Sequence, residues 1–230
     1  MAHQSTTAKD RRVFKNLDEK SIMKDYSLSF TAASLMFYET EQVAMLYMEY
    51  KDWDIVSKMV IDENYLQKGT ISTRKREFAE IKKRLLSLSS DEMEFLTQAT
   101  TDEIKLYCLI LCAKTYRLIF EFITEVVRYK YLMFDYTIYD SDYIQFIESK
   151  TVSSLKLQKI TEKTSYKIKQ VLLKILEQAS LIDSVKTKNI QKPYISQELE
   201  EIIAQRDPKL LACYLYSDQE IKAFKEDCNV

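Results

Sequence analysis

The chain has 230 residues, with 34 Lys and Arg against 35 Asp and Glu, a formal net charge of −1, 46% hydrophobic residues and only one glycine and one histidine. That apolar content supports a sizeable core and argues against a globally disordered chain. Average usage would give about 16 glycines at this length. The lone Gly69 and the lone His3 argue against phosphate-cradling glycine loops, nucleophile elbows and histidine-based catalysis, which need small residues at tight turns or an imidazole inside the fold.

Residues 1–26 are polar and charged and read as an N-terminal arm with a short helix near its end; no signal-peptide apolar stretch is present in it. Leu35, Met36, Val43, Leu46 and Tyr47 recur at helical spacing and predict a helix over 31–50. Ile55, Val56, Met59 and Val60 predict a second helix after Trp53. Gly69 ends the connection and is expected at a positive φ. Ser72 or Thr73 offers an N-cap for a third helix through residue 88, with Phe78, Ile81, Leu85 and Leu88 as its apolar stripe. Arg74, Lys75, Arg76, Lys82, Lys83 and Arg84 fall mostly off that stripe.

Ser89-x-x-Glu92 and Thr100-x-x-Glu103 both read as capping boxes. The second opens a helical stretch to about residue 134, broken once. Its most apolar part runs from Leu106 to Phe122, but Lys114, Arg117 and Glu121 interrupt it. A membrane-spanning helix needs about 20 nearly uncharged residues, so a core helix of a soluble, cytoplasmic protein is expected. Cys108 and Cys112 share a helical face. With Cys213 and Cys228 they read as buried free thiols, since a zinc site would need further soft ligands. No metal or cofactor is expected.

The last third has the order of a winged helix-turn-helix. A helix capped by Asp140 runs to residue 150, a short one spans 153–159, a turn falls at Ile160-Thr161, and a third helix covers 162–179. Leu181-Ile182-Asp183, a lysine-rich tip and Pro193-Tyr194-Ile195 then suggest a hairpin wing. At about 100° per residue, Ile168, Val171, Leu172, Ile175 and Leu176 share one face of the third helix. Lys163, Lys167, Gln170 and Lys174 share the opposite one. Thr161, Thr164, Ser165 and Tyr166 cluster at its start, and Lys159 precedes it. A groove-reading helix needs this layout, with hydroxyls and backbone N–H groups toward phosphates and longer polar groups toward base edges. Lys186, Lys188 and Lys192 would suit flanking phosphates. Arg74, Lys75, Arg76, Lys82 and Arg84 would form a second phosphate-contacting surface.

Charge is segregated along the chain. Residues 64–90 carry seven Lys and Arg against two acids, 149–192 ten Lys against three acids, and 91–148 eleven acids against five bases. Two basic segments in an acidic frame suit localised anion binding. Asp140 and Asp142 could hold a metal, but acids at a helix start read as caps. No enzymatic activity is expected.

Four stretches of this chain resemble the BrxA family of BREX bacteriophage-defence systems, once labelled inner-membrane proteins: YSLSFTAASLMFYET; ENYLQKGTISTRKREFAEIKKRLLSL; LYCLILCAKTYRLIFEFITEVVR; and FIESK followed by LQKITEKTSYKIKQVLLKILEQASLID. The resemblance implies an all-α protein with an antitermination-factor-like helical bundle and helix-turn-helix features. It also implies double-stranded DNA binding without enzymatic activity, beside other BREX proteins. The expected division is an arm over 1–26, a bundle over 27–138, a winged helix-turn-helix-like unit over 139–200, and C-terminal helices over 201–230 packing on the bundle. The competing readings are a protein–protein adaptor within a defence complex and an RNA-binding helical protein.

Overall fold

The computed structural model describes residues 25–227; the expected arm up to residue 24, with its short helix, and Cys228 lie outside the described residues. The all-α expectation holds. The first half is built from α1 (Phe37–Tyr50), α2 (Trp53–Ile61), α3 (Ile71–Leu85), α4 (Ser90–Gln98) and α5 (Thr101–Thr115). Both expected capping boxes form. Ser89 and Thr100 accept from the backbone N–H groups of Glu92 and Glu103, whose carboxylates accept in return from Ser89 N and Thr100 N.

Nine residues of α5 are buried, from Ile104 through Ala113. A helix apolar all round must be enclosed, and α1, α3, α10 and the C-terminal 3-10 turn pack around it. The apolar run does not continue as one helix. Tyr116 takes an extended conformation, φ −127° and ψ 97°, and the chain restarts as α6 (Arg117–Phe122), a π-helical turn (Ile123–Val127) and α7 (Arg128–Leu132). Among the described residues no helix is long and apolar enough to cross a membrane. Cys108, Cys112 and Cys213 are buried free thiols, and burial pushes their pKa values up.

The second half contains α8 (Asp140–Thr151), α9 (Leu155–Gln158), α10 (Glu162–Gln178), α11 (Gln197–Arg206), a 3-10 turn (Pro208–Tyr214) and α12 (Asp218–Asp227). The Tyr214 hydroxyl donates to the Leu106 carbonyl at 3.0 Å, seating the returning chain on α5. Glu92 ties three helices: its carboxylate accepts from Arg206 Nη2 at 2.6 Å, from Ser89 N at 2.7 Å and from the Tyr107 hydroxyl at 2.9 Å. Burial alone would raise its pKa. The bonds from Arg206, Ser89 and Tyr107 outweigh it and hold the carboxyl at about 2, against an ordinary value of 4.5.

The structure departs from the sequence-based expectation most clearly before α1. A 3-10 turn (Ser29–Ala32) is followed by extended chain, and Met36 sits in the left-handed region with φ 55°. The helix therefore begins at Phe37, not residue 31. The cause is Arg84. Its guanidinium is fully buried and donates to the carbonyls of Leu35 at 2.8 Å, Ser34 at 3.1 Å and Ala33 at 3.5 Å. A helix through 33–35 would have used those carbonyls itself. On the other side, Leu35 N donates to Gln178 Oε1 at 3.1 Å. Arg84 is thus a core strut, which corrects its assignment as a surface phosphate contact. Other boundaries move slightly: α3 starts after Thr70, whose hydroxyl accepts from Thr73 N, rather than at a Ser72 or Thr73 cap, and it ends at Leu85 rather than residue 88.

Gly69 does not adopt a positive φ. Among the described residues eight that carry a Cβ do: Met36, Lys51, Asn64, Gln67, Phe134, Ser180, Lys188 and Leu215. Ser180 shows the pattern. After α10, Leu181 N bonds to Leu176 O at 2.9 Å and Ser180 N to Glu177 O at 3.0 Å, a helix stop that glycine usually supplies. Left-handed geometry costs an L-residue roughly 1–2 kcal/mol.

Ser180→Gly is therefore expected to raise stability in urea denaturation by about 0.5–1 kcal/mol, after allowing for the entropy of the added glycine. Arg84→Met should cost at least about 3 kcal/mol, because three buried carbonyls lose their donor, whereas exposed Lys75→Ala should change stability by less than about 0.5 kcal/mol. Glu92 has a depressed pKa in the folded state, so its contribution is present above the unfolded value. It fades as pH falls from 4.5 through about 2. Glu92→Gln should lower stability at neutral pH and flatten acid unfolding across that window, read by circular dichroism.

Candidate nucleic-acid interface

The helix expected to read a groove is formed as its sequence pattern requires. Thr161 is its N-cap, and the hydroxyl accepts from Thr164 N at 3.2 Å. Ile168, Val171, Leu172, Ile175 and Leu176 are buried, joined by Leu173. Lys163, Lys167, Gln170 and Lys174 are all exposed, with Lys174 also paired to Glu177. Thr164 and Ser165 are half-buried, and the Ser165 carbonyl accepts from the Tyr143 hydroxyl at 2.8 Å. Tyr166 is 58% exposed, with the Lys169 ammonium 5.8 Å from its ring centre. Lys159 is exposed at the end of α9.

Helix α9 is short, and it is held from outside itself. Ser154 caps it by accepting from Leu157 N at 3.1 Å, and the Asp25 carboxylate accepts from Lys156 N at 3.0 Å and from the Ser154 hydroxyl. The Ser154 bond is the main reason that the Asp25 carboxyl sits below its ordinary pKa.

The expected wing is only partly realised. Ile182 and Ile190 form one antiparallel bridge, and Thr137 and Asn189 another. Ile190 N donates to Tyr136 O at 2.6 Å and Ile138 N to Lys188 O at 3.0 Å. Three chain segments therefore lie side by side, but no regular strand forms among the described residues. The Pro193-Tyr194-Ile195 piece does not pair back as expected; Tyr194 is 91% exposed and leads into α11.

The wing lysines have different surroundings. Lys186 is exposed. Lys188, in a left-handed conformation, reaches Asp140 Oδ1 at 2.7 Å, while Lys169 reaches Asp140 Oδ2 at 3.1 Å. Asp140 thus fastens the tip to α10, and Lys188, then Lys169, hold its carboxyl below the usual range. It is not the cap of α8; that bond comes from Asp142, whose carboxylate accepts from Tyr139 N at 2.7 Å. Lys192 pairs with Glu220 at 3.1 Å and lies 4.2 Å from the Tyr216 ring centre.

The second basic segment is less available than its sequence suggested. Arg84 is internal, for the reason given above. Arg74 is half-buried and donates to the Ile61 carbonyl, joining α3 to α2. Lys82 is half-buried with its ammonium 5.2 Å from the Trp53 ring centre. Lys75 and Arg76 are exposed. So is Lys83, left out of the expected site, which sits 4.7 Å from the Tyr116 ring centre. Lys169 was also missed, although its spacing of three from Tyr166 was a usable signal. The long-range partnership of Asp25 with α9 left no signal in the sequence.

An all-α bundle that carries a short helix, a turn and a lysine-faced helix is the class these features define. The BrxA family model matches residues 24–207, and the chain belongs to the BrxA family. It is 28% identical over 180 residues to a protein of Bacillus cereus (strain H3081.97) described as BREX protein BrxA, covering 77% of this chain and 90% of that one. A second BREX protein BrxA, from Escherichia coli O9:H4 (strain HS), is 21% identical over 169 residues, covering 74% and 79%. A crystal structure of an uncharacterized protein from Magnetospirillum magneticum shares the fold, with a TM-score of 0.73 at 21% identity over 83% of this chain and 98% of that one.

Proposed function

We propose that this protein is a non-enzymatic component of a BREX phage-defence system that binds double-stranded DNA, with α10 as its principal contact, alongside other BREX proteins. The observation that carries the reading is the exposed stripe of Lys163, Lys167, Gln170 and Lys174, with Lys174 paired to Glu177, while the opposite face of α10 is buried. Ammonium groups on one helix face displace condensed counterions from DNA, which gives affinity that depends on salt more than on sequence. Gln170 and the hydroxyls at the helix start add polar contacts of the kind that fix register. The Asp140 tie between Lys169 and Lys188 keeps the wing tip beside that helix. Asp140 and Asp142 have their carboxylates engaged by lysines, at 2.7 Å from Lys188 and 3.1 Å from Lys130, which supports a structural role over metal chemistry.

Duplex binding followed by fluorescence anisotropy should weaken steeply as salt rises. Replacing Lys163, Lys167 and Lys174 together by Ala should lower the slope of log affinity against log salt by up to about 0.9 for each lost phosphate contact, with the fold intact by circular dichroism. Changes at exposed Lys58 and Lys209 should do little. No salt dependence would sink the DNA reading in favour of the adaptor. Loss of binding on changing Lys75, Arg76 and Lys83, with none from the α10 set, would move the contact to the bundle. A preference for RNA over duplex DNA would support the RNA-binding alternative.

A further inference from the structure

A surface of opposite character lies where α7 meets α8. Tyr129 is 60% exposed, Met133 61%, Phe134 80% and Tyr139 55%, on one short stretch of chain. Exposure of single apolar groups is ordinary, but a run of large ones marks a contact site. Phe134 is costly twice over. Its ring is mostly in water, and its backbone is left-handed at φ 62°. The local bonds explain the geometry: Asp135 N donates to Lys130 O at 2.9 Å and Phe134 N to Tyr131 O at 3.1 Å, so the position is again a helix stop suited to glycine. Its ring meets Tyr136 edge-on with centroids 6.5 Å apart, and Tyr136 is itself 44% exposed, so most of this aromatic surface stays in water.

A groove of about 380 Å³ opens between α7 and α8, lined by the chain neighbours of Phe134, Met133 and Asp135, with Val126, Tyr129 and Phe146 also among its walls. Its charges are layered. The carboxylates of Glu125 and Asp135 are each 49% exposed, whereas the ammonium-bearing side chains that partner them, Lys150 and Lys130, are only 15% and 11% exposed. Glu125, Asp135 and Asp142 line the groove against the single cation Lys130, and the acids of these pairs are the more exposed partners, so the groove presents negative charge beside its apolar walls. Phosphate would be repelled there.

We infer that this groove docks a segment of a partner protein in which an aromatic or aliphatic side chain is flanked by Lys or Arg. The apolar side chain fills the space beside Met133 and Phe146, and the flanking cations meet Glu125 and Asp135. Binding of this kind combines a buried anchor with a charged rim that selects the partner. The surface uses none of the residues assigned to DNA and does not depend on that reading.

The test uses the full chain as bait for a phage-displayed library of random 16-residue peptides, followed by anisotropy with the selected synthetic peptides. The expected result is enrichment of sequences with an apolar anchor beside Lys or Arg. Their affinity should fall at least tenfold on Phe134→Gly together with Met133→Ser, and again on Asp135→Lys, with duplex DNA affinity unchanged. Phe134→Gly alone should raise the urea midpoint, and because Asp135→Lys removes a partner of Lys130, a neutral Asp135→Asn with its fold checked by circular dichroism should weaken binding in the same direction. Absence of such peptides, or equal binding to the variants, would overturn the proposal. So would loss of duplex binding in those variants, or a dimer in sedimentation that Phe134→Gly dissolves; the first would give the groove to DNA and the second to another copy of this chain.

Discussion

A guanidinium buried in an apolar core is the constraint on which the rest of the structure hangs. Arg84 forms no ion pair with a carboxylate among the described residues; three consecutive backbone carbonyls, at residues 33–35, receive its hydrogen bonds, and the Tyr116 ring lies 5.5 Å away. Desolvating such a charge is expensive; the two terminal nitrogens offset that cost through these carbonyls, while the buried Nε has no hydrogen-bond partner. The arrangement fixes the chain before α1 as an extended strap rather than a helix. Because Gln178 of α10 holds the same strap from the other side, the bundle and the lysine-faced helix share one anchoring point. The direction in which α10 faces solvent is thereby set by the core.

Scarcity of glycine has a second consequence. Chain reversals still need left-handed residues, and here they are supplied by side chains that resist that conformation. Each loses some stability locally. In exchange, a chain nearly free of glycine has less backbone entropy to lose on folding, and tight helix boxes such as those at Ser89 and Thr100 can then define short, sharply bounded helices. Phe134 stands apart among these residues because its ring is 80% exposed and meets the exposed Tyr136 edge-on rather than the core.

The two faces of the molecule separate chemically. On α10, lysines stand in solvent above a buried apolar side. At the α7–α8 groove, lysines are sunk and carboxylates are outermost. The same residue type serves opposite purposes according to depth, since a buried ammonium spends its field on its partners while an exposed one projects it. Net charge near zero conceals this division.

Much of the architecture was legible in the sequence. The periodicity of Ile168, Val171, Leu172, Ile175 and Leu176 gave α10 its boundaries and buried side, and the two hydroxyl–glutamate boxes gave the starts of α4 and α5, because capping and amphipathic spacing are local and repeat with the helix itself. What tertiary structure decided were the fates of residues whose partners lie far along the chain. Arg84 sits three residues after Ile81 on the flank of an apolar stripe, where spacing cannot tell a solvated cation from a strut; only the carbonyls some fifty positions away make it internal. Lys188 and Lys192 became anchored by Asp140 and Glu220 in the same manner. Asp25 became a cap for a helix begun at residue 155. Helix periodicity is written in neighbouring residues, but the burial of a charge depends on which distant groups can replace its water, and that is settled only when the chain closes on itself.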